Sequence, residues 1–288
     1  MRLGVVGLVP NDFRAVKADH LDYIRQLRLS GVGVSANKVN LAEATPADFK
    51  RVRDLFAQAE MDLVQFNIGY SGPIFGPDEA QREDVLQTIE RGIEVGREVN
   101  AQACLIRTGS LNPAGSYVPH RDNFLPENYE RLLDSLRRVA RKADAVGQTV
   151  IIETHQLIIM DSPETNRDVI ETIGSDRLRI VMDYVNHFQT LKQVYDSTTR
   201  INQIFDVMGP ICPVGHCKDI QLSPARLVLH IDEAIPGEGE LDLATALHRW
   251  EALDSVGYML VEHLPAEDYP QAARNVHRIA AEAGITIW

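Results

Sequence analysis

Residues 149–187 contain the pattern that decides the fold, and they read TVIIETHQLIIMDSPETNRDVIETIGSDRLRIVMDYVNH. Apolar, largely β-branched runs at 149–154 and 178–183 predict two buried strands. A Ser-Pro pair between them opens a predicted helix over 163–173, because proline is favoured in the first helical turn. A strand, a helix and a second strand in this order are typical of a parallel sheet.

The same unit recurs along the whole chain. The other predicted strands cover 3–9, 31–35, 62–67, 103–108, 211–217 and 258–263. The other predicted helices cover 17–30, 46–59, 77–100, 126–146, 198–208, 242–256 and 267–283. Eight strands that alternate with eight helices predict an α/β fold, a closed (β/α)8 TIM barrel. An open doubly wound sheet is the alternative, but no Gly-x-Gly-x-x-Gly motif for a dinucleotide follows the first strand.

Length and composition agree with one barrel of this kind. The chain has 288 residues, and a (β/α)8 barrel typically has about 250. No linker or low-complexity tract interrupts it, so we expect a single domain over residues 1–288. No run of about 18 apolar residues occurs, which argues against a membrane protein.

Charge and cysteine content narrow the class of partner. The 41 acidic residues outnumber the 29 basic ones and give a net charge of −12. A surface of this sign repels phosphate backbones, so we expect no nucleic acid partner. Three scattered cysteines do not make a disulfide framework and favour a cytoplasmic protein with reduced thiols. The expected partners are small molecules, and assembly into a homo-oligomer stays open.

The carboxyl ends of barrel strands carry the chemistry, because side chains converge there. The fifth to the eighth predicted strands end in Glu153, Asp183, His216 and Glu262, and the longer last interval predicts a loop over 219–241. One such carboxylate is commonly a helix cap or an ion-pair partner. Three buried together repel each other and cost several kcal/mol to desolvate. One divalent metal ion bound by all four residues removes both problems; this ligand set favours Mn²⁺, Mg²⁺ or Co²⁺, with Zn²⁺ as an alternative.

Five motifs carry a resemblance to a known family. They are Ile-Glu153-Thr-His155, Met-Asp183-Tyr-Val-Asn186, Gly-His216-Cys-Lys218-Asp219, Pro236-Gly237-Glu238-Gly239 and Tyr258-Met-Leu-Val-Glu262-His263. In this order the chain resembles, over its whole length, the xylose-isomerase-like barrels of the sugar phosphate isomerase/epimerase superfamily. The resemblance implies the same four metal ligands. It also implies that the two glutamates are catalytic, as an acid–base pair across the sugar that moves a proton through an enediolate.

Two departures from relatives in this superfamily bear on the function. Endonuclease IV uses further histidines for three zinc ions, but the third and fourth strands here end in Asn67 and Thr108, and Asn186 stands at another of its histidine positions. Epimerases place an arginine before the Pro-Gly-x-Gly turn, where this chain has residues 230–235, HIDEAI. The first departure argues against DNA repair, and the second suggests a different group around the reacting carbons.

Further polar residues near the strand ends are candidates for substrate contacts. His155 is a candidate acid–base or substrate-binding group, with a capping role as the alternative. Asn186 matches a substrate-binding position of the family, with a loop-stabilising role as the alternative. Lys218 and Arg107 are candidates to bind a hydroxyl or an anionic group of the substrate, with ion pairs as the alternative. His230 is a further candidate for substrate binding.

The segment 109–123, GSLNPAGSYVPHRDN, is long and contains glycine and proline. We expect it to lie over the mouth of the barrel as a lid that brings Tyr117 or His120 to the ligand.

These observations predict a metal-dependent sugar isomerase or epimerase that acts on a keto-sugar or an oxidised sugar derivative. The alternative is a metal-dependent lyase, either an inosose-type dehydratase or an enzyme that removes the aglycone from a 3-keto-glycoside by β-elimination. A third, non-catalytic alternative is a sugar-binding barrel, against which the complete ligand set argues.

Overall fold

The computed structural model describes residues 1–225 and 227–288. Its barrel strands are β1 (Arg2–Val6), β2 (Gly31–Asn37), β3 (Asp62–Gly69), β4 (Ala103–Arg107), β5 (Thr149–Glu153), β6 (Leu178–Met182), β7 (Val214–Cys217) and β10 (Tyr258–Val261). Two further strands, β8 (Asp219–Leu222) and β9 (Ile231–Ala234), form an antiparallel hairpin. The barrel strands are parallel and close in the order β1-β10-β7-β6-β5-β4-β3-β2. The predicted (β/α)8 barrel is confirmed.

Helices connect the strands. They are α1 (Ala18–Gln26), α2 (Lys38–Glu43), α3 (Pro46–Ala59), α4 (Glu79–Glu98), α5 (Pro126–Val146), α6 (Pro163–Ile173), α7 (Leu191–Tyr195), α8 (Ser197–Met208), α9 (Leu243–Leu253) and α10 (Tyr269–Glu282). The short α2 and α7 were not predicted, because one turn and a half gives too few residues to show a helical period. None of the helices that the structure describes is long and apolar enough to cross a membrane.

The inside of the barrel has an apolar floor and a polar mouth. The floor consists of eight buried side chains, those of Val64, Ala103, Leu105, Ile151, Val181, Val214, Tyr258 and Leu260. Side chains on a strand alternate between its two faces, so the residue two positions further along also points inward. On β5 Ile151 is followed in this way by Glu153, and on β7 Val214 is followed by His216. The alternation of the strands therefore positions the polar cluster directly above the floor.

Strand β3 departs from this alternation. Its pairing with β2 passes from Val32↔Leu63 to Gly33↔Gln65, which leaves Val64 as an extra residue, as in a β-bulge. Val64 packs into the apolar floor, and Gln65 next to it also points into the barrel. The bulge thus adds an amide to the polar mouth.

Two expectations for the region after α8 are wrong. The strand predicted over 211–217 begins only at Val214, because Gly209–Ile211 form a 3-10 turn and Pro213 follows it. The predicted loop over 219–241 contains the β8–β9 hairpin. Each strand of that hairpin has four residues, too few for alternation alone to reveal it.

Candidate active site

The four predicted metal ligands lie together at the carboxyl ends of adjacent strands. One ligand atom from each residue lies within 4.8 Å of the corresponding atoms of the others. The exposed fractions are 6% for Glu153, 1% for Asp183, 0% for His216 and 4% for Glu262. A buried group of this composition could bind a metal ion.

The hydrogen bonding of the cluster tests whether a cation fits it. Asp183 Oδ1 is buried and makes no hydrogen bond with any residue that the structure describes. His216 Nδ1 and Glu262 Oε1 are also buried; they lie 2.9 Å apart, and Glu262 Oε1 lies 2.9 Å from Lys218 Nζ, but neither contact has the geometry of a hydrogen bond. Such atoms are uncommon, because a buried polar atom without a partner costs free energy. The three belong to three of the four ligands, and a bound cation would supply the missing partner. Oxygen donors with one imidazole suit a divalent ion of the magnesium or manganese type.

Opposite charges keep these groups ionised. Burial alone would raise the pKa of Asp183, but Lys218 and His216 outweigh it and lower that pKa to about 2. The pKa of Glu262 also lies well below its usual value, because His216 and Lys218 outweigh the effect of burial. Burial would lower the pKa of His216, but Glu262 and Asp183 raise it to about 10. At neutral pH Asp183 and Glu262 are therefore negatively charged and His216 is positively charged.

Lys218 lies inside the cluster, two residues beyond His216 on the same face of the chain. Its Nζ is 2.9 Å from Asp183 Oδ2 and 2.9 Å from Glu262 Oε1. The side chain is 3% exposed. Burial opposes its charge, yet the pKa of Lys218 is well above its usual value because of these two carboxylates. Both the predicted role at the substrate and the alternative ion pair fit this position.

Asn186 and His155 lie next to the cluster. Asn186 Nδ2 donates to Asp183 Oδ2 at 2.8 Å and to the backbone oxygen of Thr154 at 3.1 Å, which fixes the Asp183 carboxylate. The ring of His155 lies 5.6 Å from that of Tyr117, and burial lowers the pKa of this imidazole. His155 Nδ1 accepts a backbone N–H two residues further on, at 3.2 Å.

Arg107 and His230 occupy different surroundings. Arg107 lines a cavity that also reaches Glu153 and Glu262, and its buried Nε makes no hydrogen bond with any described residue. His230 is exposed next to the hairpin, with Nε2 2.9 Å from Asp232, and it does not line that cavity.

Of the two residues expected in the lid, Tyr117 reaches the cluster. Its Oη donates to Glu153 Oε2 at 2.5 Å. Burial and the Glu153 carboxylate raise the pKa of Tyr117 well above its usual value. His120 instead accepts a backbone N–H from Asp122 at 3.2 Å and caps a short 3-10 turn.

The cavity next to the cluster has a volume of about 380 Å³. Its polar lining, apart from the metal ligands and His263, is made of Asn11, Ser35, Asn37, Gln65, Asn67 and Arg107. Amides and one hydroxyl dominate this lining, which therefore suits a neutral, hydroxyl-rich molecule better than a highly charged one.

Sequence reasoning missed two functional candidates, Gln65 and Glu233. Gln65 Oε1 lies 3.0 Å from His216 Nε2, and its polar side chain within an apolar strand was the signal. Glu233 Oε1 lies 3.4 Å from Lys218 Nζ and 3.2 Å from His263 Nδ1. It precedes the Pro-Gly-x-Gly turn, where the epimerases that the chain resembles place an arginine, and this departure was the signal.

Asp219 explains why that turn and the hairpin lie where they do. Its carboxylate accepts backbone N–H groups from Ile220, Gly237, Gly239 and Leu241, at 2.9 to 3.2 Å. A Cβ at Gly239 would lie 2.4 Å from Asp219 Oδ1, so the close approach requires glycine. The turn is thus tied to the end of β7, and β9 is held above the cluster.

Comparison with known proteins identifies the family. A family model described as xylose isomerase-like TIM barrel matches residues 21–286. No curated protein sequence matches the chain significantly.

Solved structures share the fold at low identity. The 3-keto-D-glucoside 4-epimerase of E. coli has a TM-score of 0.70 and 18% identity, covering 98% of this chain and 99% of its own. A xylose isomerase-like TIM barrel protein from Mycobacterium smegmatis, in complex with magnesium, has a TM-score of 0.71 and 15% identity, covering 98% of this chain and 96% of its own. Endonuclease IV from Thermus thermophilus has a TM-score of 0.71 and 14% identity, covering 98% of this chain and 100% of its own. An epimerase and a nuclease are equally similar, so this likeness shows the fold alone.

Proposed function

The chain belongs to the xylose isomerase-like TIM barrel family, and we propose that it is a divalent-metal-dependent isomerase or epimerase. Its substrate is a keto-sugar or an oxidised sugar derivative. The observation that carries the proposal is the buried cluster in which Glu153 and Glu262 are joined by Asp183 and His216.

The four cluster residues would hold one divalent ion, and Mn²⁺ suits them best among Mn²⁺, Mg²⁺, Co²⁺ and Zn²⁺. When bound, such an ion polarises a carbonyl and its neighbouring hydroxyl and so acidifies the adjacent C–H bond. A similar barrel is solved in complex with magnesium, which supports the choice of a hard cation.

The two glutamates move the proton. Glu153 takes it from the carbon next to the carbonyl, and the C–H electron pair passes into the enediolate. Glu262 takes up a proton from solvent next to the negatively charged enediolate and gives it to the opposite face of that carbon, which inverts the carbon in an epimerase, while Glu153 releases its proton to solvent. Tyr117 orients Glu153, and Asn186 orients Asp183.

Arg107, Lys218 and His155 bind the oxygen atoms of the substrate in this proposal. The amide-lined cavity receives the remaining hydroxyl groups of the substrate.

We propose no nucleic acid partner, because the net charge of −12 repels phosphate backbones. The three cysteines are buried and free, and a cytoplasmic location stays a prediction.

A lyase is the second candidate, and Glu233 favours it. This carboxylic group approaches Lys218 and His263 where an epimerase carries a cationic arginine. The Glu233 carboxylate raises the pKa of His263, and the protonated imidazole can give its proton to a leaving group on the carbon next to the enediolate, so that the enediolate electron pair expels a β-substituent.

The test is proton NMR in D₂O with Mg²⁺-loaded protein and a panel of ketoses, inososes and 3-keto-glycosides. An isomerase or epimerase incorporates deuterium next to the carbonyl and conserves the composition of the substrate, whereas a lyase changes it. Glu153→Gln and Glu262→Gln are expected to lose at least about a hundredfold in rate, because general acid–base catalysis contributes that much. The matched control is Glu282→Gln on the exposed face of α10. Normal turnover in both active-site variants would show that the two-glutamate mechanism is wrong.

A further inference from the structure

Gln65 connects the metal cluster to the substrate cavity. It lies on β3, directly opposite β7 in the barrel, and its side chain is 1% exposed. Its Oε1 lies 3.0 Å from His216 Nε2, and its Nε2 lies 2.8 Å from Asn67 Oδ1. Asn67 Nδ2 in turn lies 3.3 Å from Ser35 Oγ. Both Asn67 and Ser35 line the cavity.

The chemistry of His216 fixes the direction of these hydrogen bonds. Its Nδ1 faces Glu262 Oε1 at 2.9 Å and Asp183 Oδ2 at 3.5 Å. A neutral imidazole that ligates an ion through Nδ1 carries its proton on Nε2. Nε2 therefore donates, and only the carbonyl oxygen of Gln65 can face it. The amide nitrogen of Gln65 is then the donor to Asn67.

We propose that Gln65 is a positioning residue for the metal ion, a role that rests on the proposed function. Its Oε1 keeps the proton of His216 on Nε2 and so presents the lone pair of Nδ1 to the ion. The hydrogen bond to Asn67 keeps the amide from turning its nitrogen toward the imidazole.

The surroundings of Gln65 explain why no other group takes over this task. His216 is 0% exposed, so no bulk water reaches its ring. Without an acceptor at Gln65, the Nε2–H group is buried and unpartnered. An ion at Nδ1 fixes the proton on Nε2, so binding of the ion then carries the cost of that unpartnered group and is weaker. The bulge at Val64 is the structural feature that turns Gln65 inward.

The experiment measures Mn²⁺ affinity by calorimetry on the metal-free, full-length protein. Gln65→Met removes the acceptor at similar volume, and we expect its Kd to rise about 10- to 100-fold, as for other residues that orient a metal ligand. Gln65→Glu keeps an acceptor at the same place and is expected to retain most of the affinity. The matched control is Gln148→Met. Gln148 is 2% exposed and donates to the backbone oxygen of Ala101 at 3.0 Å, at the opposite end of the barrel.

An NMR measurement separates positioning from general damage. Protein labelled with ¹⁵N-histidine and saturated with diamagnetic Zn²⁺ is expected to show the Nε2 proton of His216 shifted downfield by its hydrogen bond in the wild type and in Gln148→Met. Gln65→Met is expected to lose that downfield shift. Unchanged Mn²⁺ affinity in Gln65→Met, or an unchanged shift of this proton, would overturn the proposal.

The two proposals fail in different ways. Wild-type protein that binds Mn²⁺ but exchanges no deuterium contradicts the proposed function, and the affinities of the variants still decide the role of Gln65. Wild-type protein that binds no Mn²⁺ overturns both.

Discussion

In the proposed mechanism Glu153 acts as a base while it also binds the ion, so the orientation of its carboxylate matters. Tyr117 Oη donates to Oε2 of this carboxylate at 2.5 Å. A hydrogen bond to a charged group contributes about 1.5–3 kcal/mol, enough to fix the carboxylate plane relative to the other three ligands. The segment 109–123 thereby takes part in the geometry of the site.

Replacing Tyr117 by phenylalanine tests this contact. We expect Tyr117→Phe to lower kcat about 10- to 100-fold, because each 1.36 kcal/mol of lost stabilisation is a factor of ten in rate. KM should change less, since the phenol contacts the carboxylate rather than the substrate. Steady-state kinetics with the substrate identified by NMR measures both. Tyr129→Phe, on the outer helix α5, is the matched control, and equal kcat in the two variants would contradict the role of Tyr117.

The candidate ligands could be predicted from single residues, but the contact of Gln65 with His216 could not. Glu153 and His216 stand out because a charged or imidazole group ends an apolar strand, and the alternation of β5 and β7 is regular. On β3 the same alternation places Gln65 on the face opposite to Val64. The bulge depends on how β2 and β3 pair, which is a contact between elements and is not encoded in a local pattern.

At the scale of elements, the β8–β9 hairpin depends on one carboxylate. Asp219 accepts four backbone N–H groups that close the turn at Gly237 and Gly239. An amide can accept through one oxygen only, and its NH₂ group would face N–H donors. We expect Asp219→Asn to lower the free energy of unfolding by about 2–3 kcal/mol, and to lower turnover because Glu233 moves with the hairpin. Urea denaturation and kinetics measure the two effects.

The control for this variant is Asp176→Asn, whose side chain is fully exposed next to β6. It should change stability by less than about 0.5 kcal/mol. Asp219→Asn with the stability of this control would show that the carboxylate does not hold the hairpin.

The 3-10 turn Tyr184–His187 after β6 contains a second buried imidazole. His187 is 0% exposed, and its Nε2 lies 3.3 Å from Thr154 Oγ1. Burial lowers the pKa of His187 from 6.5 to about 4. A histidine with a depressed folded-state pKa contributes stability above its unfolded pKa and loses it as the pH falls through the folded value. The turn, which follows Asp183 and contains Asn186, should therefore weaken in acid.

We expect the free energy of unfolding of the metal-free protein to fall by up to about 3 kcal/mol between pH 6.5 and pH 4 from this group, since one pH unit corresponds to at most 1.36 kcal/mol. His187→Gln should flatten the pH dependence in that window. Urea denaturation in EDTA at half-unit steps measures it, with His248→Gln on the exposed face of α9 as the control. A slope that is the same in wild type and His187→Gln would disprove the assignment.

Prediction of whole elements succeeded where the hydrophobic period extends over many residues. Helices α3, α5 and α6 have the predicted bounds, and each begins with proline in its first turn. The hairpin strands and the helices α2 and α7 have four to six residues each. The position of these short elements depends on contacts such as that between Asp219 and Gly239. Both residues can be seen in the sequence, but no local pattern indicates that they are in contact.

At the scale of the molecule, the cluster joins half of the barrel. Its residues come from β5, β6, β7 and the end of β10, which are consecutive in the closed sheet. In the metal-free protein, the positive charges of Lys218 and His216 lie against the carboxylates of Asp183 and Glu262. An ion that binds only the folded state adds stability by mass action. Because its ligands lie on four strands, that stability acts on barrel closure as a whole.

We therefore expect Mn²⁺ or Mg²⁺ to raise the melting temperature. At a free ion concentration of 100 times Kd the added stability is about 2.7 kcal/mol, which corresponds to roughly 5 °C for a chain of this size. Differential scanning calorimetry with EDTA, Mg²⁺ or Mn²⁺ measures the shift. Asp183→Asn removes a ligand and should abolish the shift, whereas Asp176→Asn should keep it. A shift of equal size in Asp183→Asn would mean that the ions act at other carboxylates of this acidic surface. Its absence from the wild type would mean that the buried cluster is stabilised by Lys218 and His216 alone.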